Sequence, residues 1–304
     1  MNRSLRIGTR DSALALWQAN TLQERLLELG IPTELVPIKS QGDLHLDQPL
    51  YAMGITGIFT KTLDIALLNK DIDIAIHSMK DVPTQLPKGI VQAAVLARGA
   101  VGDVVVWKEV KAKTKKVRTI ATGSLRRKAQ WGVQNPLDKI VPLRGNIQTR
   151  LKKLKDGDWD GAIFAEAAIQ RLKIKNEIVE PLEQLLPAPA QGALMVVCRV
   201  ENEDIAQQLT LLNDRDAELC TQLERDFLST LEGGCTAPIG AYAYCEKDNV
   251  HFTGGLYSLK GSTPQEIKKS FAKKEAREMG AILAKELLQK GGDTLMKEFK
   301  KGHA

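Results

Sequence analysis

Apolar positions in the first part of the chain alternate between strand-like and helix-like spacing. The pattern predicts a strand at residues 5–8, a helix that Ser12 caps and Gly30 ends, and a second strand at residues 34–39. Such units build a parallel sheet, whose ligands bind at the carboxyl ends of the strands. Arg10 and Ser12 lie at such an end and are therefore candidates for a binding site.

The next segment places an ionisable pair in a similar position. Residues 40–58 have no clear periodicity, so we expect a mobile lid there, followed by a helix at residues 59–69. An apolar alternation then predicts a strand at residues 71–76, and Lys80 and Asp81 lie just past its carboxyl end. A lone loop carboxylate is more often a turn residue, and only the position of Asp81 favours a function.

From residue 98 the alternation starts again. It predicts strands at residues 103–107, 119–122, 140–143 and 161–164. The basic run at 108–118 is expected to be solvated and flexible, whereas Ser124, Arg126 and Arg127 lie at a predicted turn and helix start. Cations in a first helical turn oppose the macrodipole by about 0.3–1 kcal/mol each, a conflict that a bound anion would remove. Functional and structural interpretations of this segment are evenly balanced.

Further arginines follow the later strands. Arg144 and Arg150 repeat the arrangement after the strand at residues 140–143, and Arg171 closes the helix that follows the strand at 161–164. Arginine binds carboxylate or phosphate through two parallel hydrogen bonds, which lysine cannot do. Residues 156–161 match the first half of a calcium loop, but Ala167 stands where a bidentate Glu is required, so we interpret them as a turn. The chain has neither nucleotide-binding glycine motif, and we predict no metal site.

The last part of the chain has a different order of predicted elements. A buried strand at residues 193–200 and a helical stretch at 203–231 are followed by the pattern of a small α+β domain, with strands at 239–245, 250–258 and 265–272 and a helix at 275–289. Cys235 precedes these strands, between a glycine pair and Pro238, which suits an attachment point on a tight loop. A buried structural thiol is the commoner role of a cysteine.

The length, composition and charge of the chain indicate its general class of protein. The chain has 304 residues, enough for two or three domains, and 43% hydrophobic with 26% charged residues is typical of a globular protein. A net charge of +6 favours anionic partners. We expect a cytoplasmic protein, because no signal peptide or membrane segment is evident, and we expect its 4 cysteines to remain thiols.

Taken together, six motifs resemble the porphobilinogen deaminase (hydroxymethylbilane synthase) family. They run in order from residue 6 to residue 240: Arg6-Ile-Gly-Thr-Arg10, His77-Ser-Met-Lys-Asp81-Val-Pro83, Gly123-Ser-Leu-Arg-Arg127, Leu143-Arg-Gly-Asn146, Gln191-Gly192 and Glu232-Gly-Gly-Cys235-Thr-Ala-Pro238-Ile-Gly240. The resemblance implies an α/β fold of two domains similar to type 2 periplasmic binding proteins, plus a small C-terminal α+β domain. We expect domain 1 at residues 1–96 and 193–212, domain 2 at 97–192 and domain 3 at 213–304.

The resemblance also implies an activity. The family joins porphobilinogen units head to tail with loss of ammonia on a covalent dipyrromethane primer, and releases the linear tetrapyrrole hydroxymethylbilane for haem biosynthesis. Asp81 matches the family's catalytic carboxylate, and Cys235 the cysteine that holds the cofactor by a thioether. The positions that match carboxylate-binding residues of the family are Arg10, Ser12, Lys80, Thr122, Ser124, Arg126, Arg127, Arg144, Arg150 and Arg171. We expect a monomer with no metal, membrane or nucleic-acid partner.

Three departures from the family pattern and two rival classes qualify this interpretation. Thr56 replaces a common lysine, Gly123 replaces the first of two serines, and Ala168 replaces a usual glycine. A non-enzymatic anion-binding protein would use the same arginines but would have no need of Asp81 or Cys235. A nucleic-acid binder would use the positive charge, but aromatic residues are only 5% of the chain.

Overall fold

The computed structural model describes residues 4–38, 60–175, 177–231 and 237–301. The described residues up to Gly99 form one compact unit with Gly192–Glu218, and Ala100–Gln191 form a second with the described residues from Leu219 onward. The predicted lid at residues 40–58, together with Thr56 and Cys235, lies outside the described residues. The three-domain boundaries stay a prediction.

Strands are interspersed with helices along the chain up to the start of a third, antiparallel sheet. The strands are β1 (Leu5–Thr9), β2 (Thr33–Pro37), β3 (Ile74–Ser78), β4 (Ile90–Val95), β5 (Asp103–Trp107), β6 (Thr119–Ala121), β7 (Lys139–Val141), β8 (Gly161–Ala165), β9 (Ile178–Pro181), β10 (Leu194–Arg199), β11 (Ile239–Glu246), β12 (Asn249–Leu256) and β13 (Gln265–Ala272). The helices are α1 (Ala13–Glu28), α2 (Lys61–Leu68), α3 (Leu125–Gln134), α4 (Ile147–Asp156), α5 (Glu166–Arg171), α6 (Glu203–Leu209), α7 (Arg215–Thr230), α8 (Ala276–Leu287) and α9 (Asp293–Lys301).

The first unit contains a mixed sheet in the order β2-β1-β3-β10-β4. β1 runs parallel to β2 and β3, whereas β10 runs antiparallel to β3 and β4. Ile7 and Ile74 from the sheet and Leu22 and Leu26 from α1 are fully buried in one core. The helical spacing of α1 therefore buries its apolar face against the sheet, as its sequence predicts.

The second unit contains a sheet with the same topology. Its order is β7-β6-β8-β5-β9, with β6 parallel to β7 and β8, and β5 antiparallel to β8 and β9. Val104 and Val106 face one core and Val105 and Trp107 another, which explains the uninterrupted apolar run of β5. Helices thus cover both faces of this sheet.

The same unit carries the small antiparallel sheet β11-β12-β13. Side chains from α7 and α8 pack on one face, where Phe227 and Phe252 meet edge to face with ring centroids 5.1 Å apart. The fold class is confirmed: two α/β sheets of one topology and a small α+β domain. Within the described part of the chain, no helix is both long and apolar enough to cross a membrane.

Several local predictions were wrong. β4, β9 and α9 were not predicted, and the helical stretch at 203–231 is broken before α7. At the break, the Val95 N–H donates to Asn213 Oδ1 at 2.8 Å, and the Asp214 N–H donates to the Val95 carbonyl at 2.8 Å. These bonds to β4 replace the ones that a continuous helix would make.

The basic run at 108–118 is not simply solvated and flexible. Its middle forms a short 3-10 turn in which Ala112 is buried. Arg118 at its end lies over the rings of Trp107 and Trp131, 5.6 and 5.4 Å from their centroids, and forms an ion pair with Asp138 at 2.8 Å. Cation–π contacts anchor the charge of Arg118 to the protein, which the run of charges alone does not indicate.

Candidate functional site

The carboxyl edge of the first sheet brings together its predicted site residues. β1 and β3 are parallel neighbours, with Gly8 opposite Ala75, so the residues after both strands emerge at one edge. Arg10 and Ser12 follow β1, and Asp81 ends a single 3-10 turn, Met79–Asp81, directly after β3. The sequence placed these side chains at strand ends, and the pairing of β1 with β3 makes them neighbours.

Buried apolar side chains hold the turn that presents Asp81. Met79 and Val82 are buried on either side of Lys80 and Asp81, which are both partly exposed. The Met79 N–H donates to the Ala193 carbonyl at 3.0 Å, and the Val82 N–H donates to the Met79 carbonyl at 3.1 Å. The turn is therefore fixed at both ends while the Asp81 carboxylate stays within reach of a ligand.

The start of α1 and the end of β3 are linked at the same edge. The Ser12 Oγ accepts from the Ala15 N–H at 3.4 Å and caps α1, and Gln18 Nε2 donates to Ser78 Oγ at 2.7 Å. The side chain of Gln18 thus ties the helix to the strand that leads to Asp81. Gln18 and Ser78 were not singled out from the sequence.

His77 lies at this edge in a neutral state. Its side chain is 6% exposed, and burial together with the positive charge of Arg10 lowers its pKa to about 4. Within the described part of the chain, its Nε2 is buried without a hydrogen-bond partner. At neutral pH this imidazole therefore adds no charge beside Arg10. The sequence showed His77 only as part of a motif.

At the carboxyl edge of the second sheet, two predicted arginines share one aspartate. Arg126 and Arg127 are 3% and 6% exposed, and each forms an ion pair with Asp103 at 2.8 Å. Asp103 is the first residue of β5 and lies opposite Ala165, the last residue of β8. An antiparallel strand thus carries a carboxylate to the edge where the parallel strands end. Sequence reasoning missed Asp103.

Backbone carbonyls fix both guanidinium groups further. Arg126 Nη1 donates to the Leu186 carbonyl at 2.7 Å, and Arg127 Nη1 donates to the Ile163 carbonyl at 3.1 Å. Burial raises the pKa of Asp103, but the charges of the two arginines and hydrogen bonds from Arg127 and Gln191 outweigh it and hold this pKa below its ordinary value. Asp103 is therefore ionised at neutral pH.

A second buried carboxylate supports this cluster from α7. Gln191 Nε2 donates to Asp103 Oδ1 at 2.9 Å, and the preceding residue, Ala190, has the positive φ of 59° that non-glycine residues rarely adopt. Glu224, which is fully buried, accepts from the Ala190 N–H at 2.6 Å and from the Ala243 N–H at 2.7 Å. One carboxylate thus holds this strained backbone beside the arginine cluster and joins it to β11.

The arginine cluster suits an anion. Two buried guanidinium groups share the one carboxylate of Asp103, and burial lowers the pKa of Arg126 from its ordinary value. Arg126 Nε is buried without a hydrogen-bond partner among the residues that the structure describes. Buried donors are normally satisfied, so a ligand carboxylate fits both the charge and this N–H.

Two more of the predicted residues form the turn before α3. Ser124 caps α3 by accepting from the Arg127 N–H at 3.4 Å, and Thr122 Oγ1 accepts from the Ser124 N–H at 3.2 Å. Both hydroxyl groups keep their own proton available for donation to a ligand. These two predicted residues therefore shape the turn before α3.

The arginines beyond this turn are more exposed. Arg150 Nε donates to the Gly145 carbonyl at 2.7 Å. Burial lowers the pKa of Arg144, and it lowers the pKa of Arg171 to about 10. A neighbouring anion would stabilise both charges. Ala168, one of the departures, is buried within α5, the helix that ends at Arg171.

Comparison with known proteins decides the family. The model of the dipyrromethane cofactor binding domain of porphobilinogen deaminase matches residues 5–207, and the model of the C-terminal domain of porphobilinogen deaminase matches residues 218–289. The chain belongs to the porphobilinogen deaminase family. Porphobilinogen deaminase of Syntrophomonas wolfei is 40% identical over 98% of this chain and 100% of the relative. That of Carboxydothermus hydrogenoformans is 39% identical over 99% of each chain.

Membership of this family confirms three predictions from the sequence. The activity is hydroxymethylbilane synthesis in tetrapyrrole biosynthesis, the chain is a transferase, and the cofactor is dipyrromethane. Porphobilinogen is the substrate of this enzyme family. The match of one family model to residues 5–207 covers both α/β sheets, so both belong to the part of the family that binds the cofactor.

Solved structures that are similar to this chain have lower sequence identity to it than these relatives do. An ancestral cationic amino acid solute binding protein, AncCDT-1, is 15% identical with a TM-score of 0.43, over 69% of this chain and 87% of that one. The VFT2 domain of BvgS from Bordetella pertussis, as a double mutant, is 13% identical with a TM-score of 0.40, over 68% and 84% of the two chains.

Proposed function

We propose that Asp81 is the catalytic carboxylate of hydroxymethylbilane synthesis in this chain and that Cys235 holds the dipyrromethane. The observation that supports the role of Asp81 is its position. It is partly exposed, lies directly after β3 at the carboxyl edge of the first sheet, and belongs to a turn that buried Met79 and Val82 anchor. A carboxylate held in this way acts without reorganising its own backbone.

The reaction requires three functions of this side chain. Loss of ammonia from porphobilinogen is helped by a group that holds the proton on the departing amine, and the positive charge left on the substrate is stabilised by a nearby anion. After the new bond forms, a base removes the proton from the pyrrole carbon. The Asp81 carboxylate can fill these roles in turn, because it gains and releases a proton at the same oxygen atoms.

The arginines bind carboxylates in this proposal. Arg126 and Arg127, which also pair with Asp103, hold acetate or propionate groups through their guanidinium groups. The dipyrromethane, when bound, supplies the pyrrole carbon to which the first substrate unit is joined. The other proposed carboxylate-binding residues are Arg10, Ser12, Lys80, Thr122, Ser124, Arg144, Arg150 and Arg171.

The setting of the protein is also part of the proposal. The chain acts as a cytoplasmic monomer and binds no nucleic acid. The support for the absence of nucleic-acid binding is the sequence, because aromatic residues are too few for a stacking surface.

The experiment compares Asp81→Asn with Asp71→Asn, a control in an exposed carboxylate before β3. Asp81→Asn is expected to lower kcat by about 100-fold or more, because it removes both proton transfer and the negative charge. Asp71→Asn should leave kcat unchanged. If Asp81→Asn retained more than roughly a tenth of the activity, the proposed role would be wrong.

Intact mass under denaturing conditions tests the attachment separately. The wild-type chain and Asp81→Asn should both be heavier than their sequences by the dipyrromethane, whereas Cys235→Ser should have its bare sequence mass. A dipyrromethane-sized addition on Cys235→Ser would contradict the assignment of Cys235.

A further inference from the structure

Two cysteines that the activity does not use lie together in the second unit. The Sγ atoms of Cys220 on α7 and Cys245 on β11 are 3.6 Å apart. A disulfide bond is about 2.05 Å long, so rotation of the two side chains has to bring the sulfur atoms closer by about 1.5 Å. The residues are 25 positions apart along the chain, so tertiary structure creates this proximity.

An independent contact holds the two elements in register. Glu224 lies one helical turn after Cys220, and Ala243 lies two residues before Cys245, on the same face of β11. The Glu224 carboxylate accepts from the Ala243 N–H at 2.7 Å. Because this buried bond joins the same side of the helix to the same stretch of the strand, the two thiols are held opposite each other independently of their own Sγ···Sγ contact.

The two thiols differ in their exposure to solvent. Cys220 is 3% exposed and belongs to the core of the small antiparallel sheet, whereas Cys245 packs at the edge of that core and is partly exposed. A small oxidant can therefore reach Cys245 first, with Cys220 behind it. This is the arrangement of an attacking and a resolving cysteine.

We propose that Cys220 and Cys245 form a reversible disulfide when the protein meets a peroxide. The Cys245 thiolate attacks one peroxide oxygen, the O–O bond breaks, and hydroxide leaves, giving the sulfenic acid of Cys245. The Cys220 sulfur then attacks the Cys245 sulfur, forms the S–S bond and releases water, with its proton going to the departing hydroxide. Two thiols are oxidised and one hydrogen peroxide is reduced to two waters.

The bond would close a chain segment that includes Cys235, since residues 220 and 245 flank it in sequence. Because the sulfenic acid of Cys245 reacts with the neighbouring Cys220 thiol, oxidation ends at the reversible disulfide and does not proceed to the irreversible sulfinic acid. Cys198 offers a comparison within the same chain. It is fully buried on β10, and burial raises the pKa of its thiol, so it should stay reduced.

The test treats the folded holoenzyme with hydrogen peroxide, blocks remaining thiols with an alkylating reagent, and maps peptides without reduction. The expected product is a peptide pair linked through Cys220 and Cys245 that has lost two hydrogen atoms and separates on reduction. Cys198→Ala should still give the linked pair, whereas Cys245→Ser should lose it completely.

Cys220→Ala provides a second measurement, in case Cys245→Ser loses the linked peptide pair because it misfolds. Without its resolving partner, Cys245 should accumulate as a sulfenic acid that a dione reagent traps, while the circular dichroism spectrum stays that of the wild type. The proposal would be overturned if Cys220 and Cys245 were both fully alkylated after peroxide treatment. A link to Cys198 or Cys235, a link between two chains, or sulfinic acid on Cys245 of the wild type would overturn it equally.

Discussion

The two α/β sheets share one topology but present opposite chemistry at the same edge. In the order of each sheet, three parallel strands are followed by an antiparallel strand, β10 in the first and β5 in the second. The first residue of that strand lies opposite the last residue of a parallel neighbour in both sheets. It is Leu194 opposite Ser78 in the first, and Asp103 opposite Ala165 in the second.

The surroundings of this position also differ between the two sheets. Leu194 is buried in an apolar core, and the edge beside it presents the partly exposed carboxylate of Asp81 on a short turn. Asp103 instead binds Arg126 and Arg127 and makes a buried cationic cluster. One topology therefore presents a partly exposed carboxylate at this edge of one sheet and a buried ion-pair cluster at the same edge of the other.

Removing the charge of Asp103 should have the largest effect on stability. Asp103→Asn leaves two buried guanidinium groups without a counter-ion, which is expected to lower the free energy of unfolding by about 3–5 kcal/mol. Asp81→Asn, at the corresponding edge of the first sheet, should change it by less than about 1 kcal/mol, because Asp81 is partly exposed. Chemical denaturation of both variants measures the difference, and equal losses would contradict the contrast between the two edges.

The pH dependence of the two edges should differ as well. The folded pKa of His77 is about 4, below its ordinary 6.5, so the unfolded chain binds more protons and stability falls as pH drops. The loss should reach about 3 kcal/mol between pH 7 and pH 4. The lowered pKa of Asp103, by contrast, is a stabilising shift, and its contribution is lost only below about pH 4.

Denaturation curves of His77→Gln at several pH values separate the two contributions. The free energy of unfolding of this variant should lose most of its pH dependence between pH 7 and pH 4. It should still decline below pH 4. A wild-type slope retained by His77→Gln would show that another group is responsible.

The smallest expected effect concerns the turn before α3. A Cβ at Gly123 would lie 2.5 Å from the Leu143 carbonyl oxygen, so Gly123→Ala forces the backbone apart and should cost about 1–3 kcal/mol. Gly132 is the control, because a Cβ there meets nothing within 4 Å and Gly132→Ala should stabilise α3 by about 0.5–1 kcal/mol. Thermal unfolding of both variants tests this, and a neutral Gly123→Ala would show that the turn adapts.

The same close approach explains one departure from the family pattern. Gly123 stands where a serine is usual, and in this chain the neighbouring carbonyl leaves no room for a side chain. The sequence alone suggested only a lost hydroxyl contact. Whether a residue fits depends on the distance between β6 and the segment after β7, which no local pattern encodes.

Local patterns predicted some elements at the observed residues. β5 and β13 occur at the predicted residues 103–107 and 265–272. Predictions failed where long-range contacts overrode the local signal. The break before α7 depends on hydrogen bonds to β4, and the basic run is ordered by Trp107 and Trp131.

By itself, the sequence determined which side chains follow which strands, because hydrophobic periodicity, helix caps and glycine turns are properties of neighbouring residues. Arg10, Asp81, Ser124 and Arg126 could be placed at strand ends in this way. Only the tertiary structure decided that Asp103 neutralises part of the arginine charge, that His77 stays neutral, and that Cys220 meets Cys245. Each of these depends on strand register and burial, which join residues far apart in the chain and change their ionisation or reactivity.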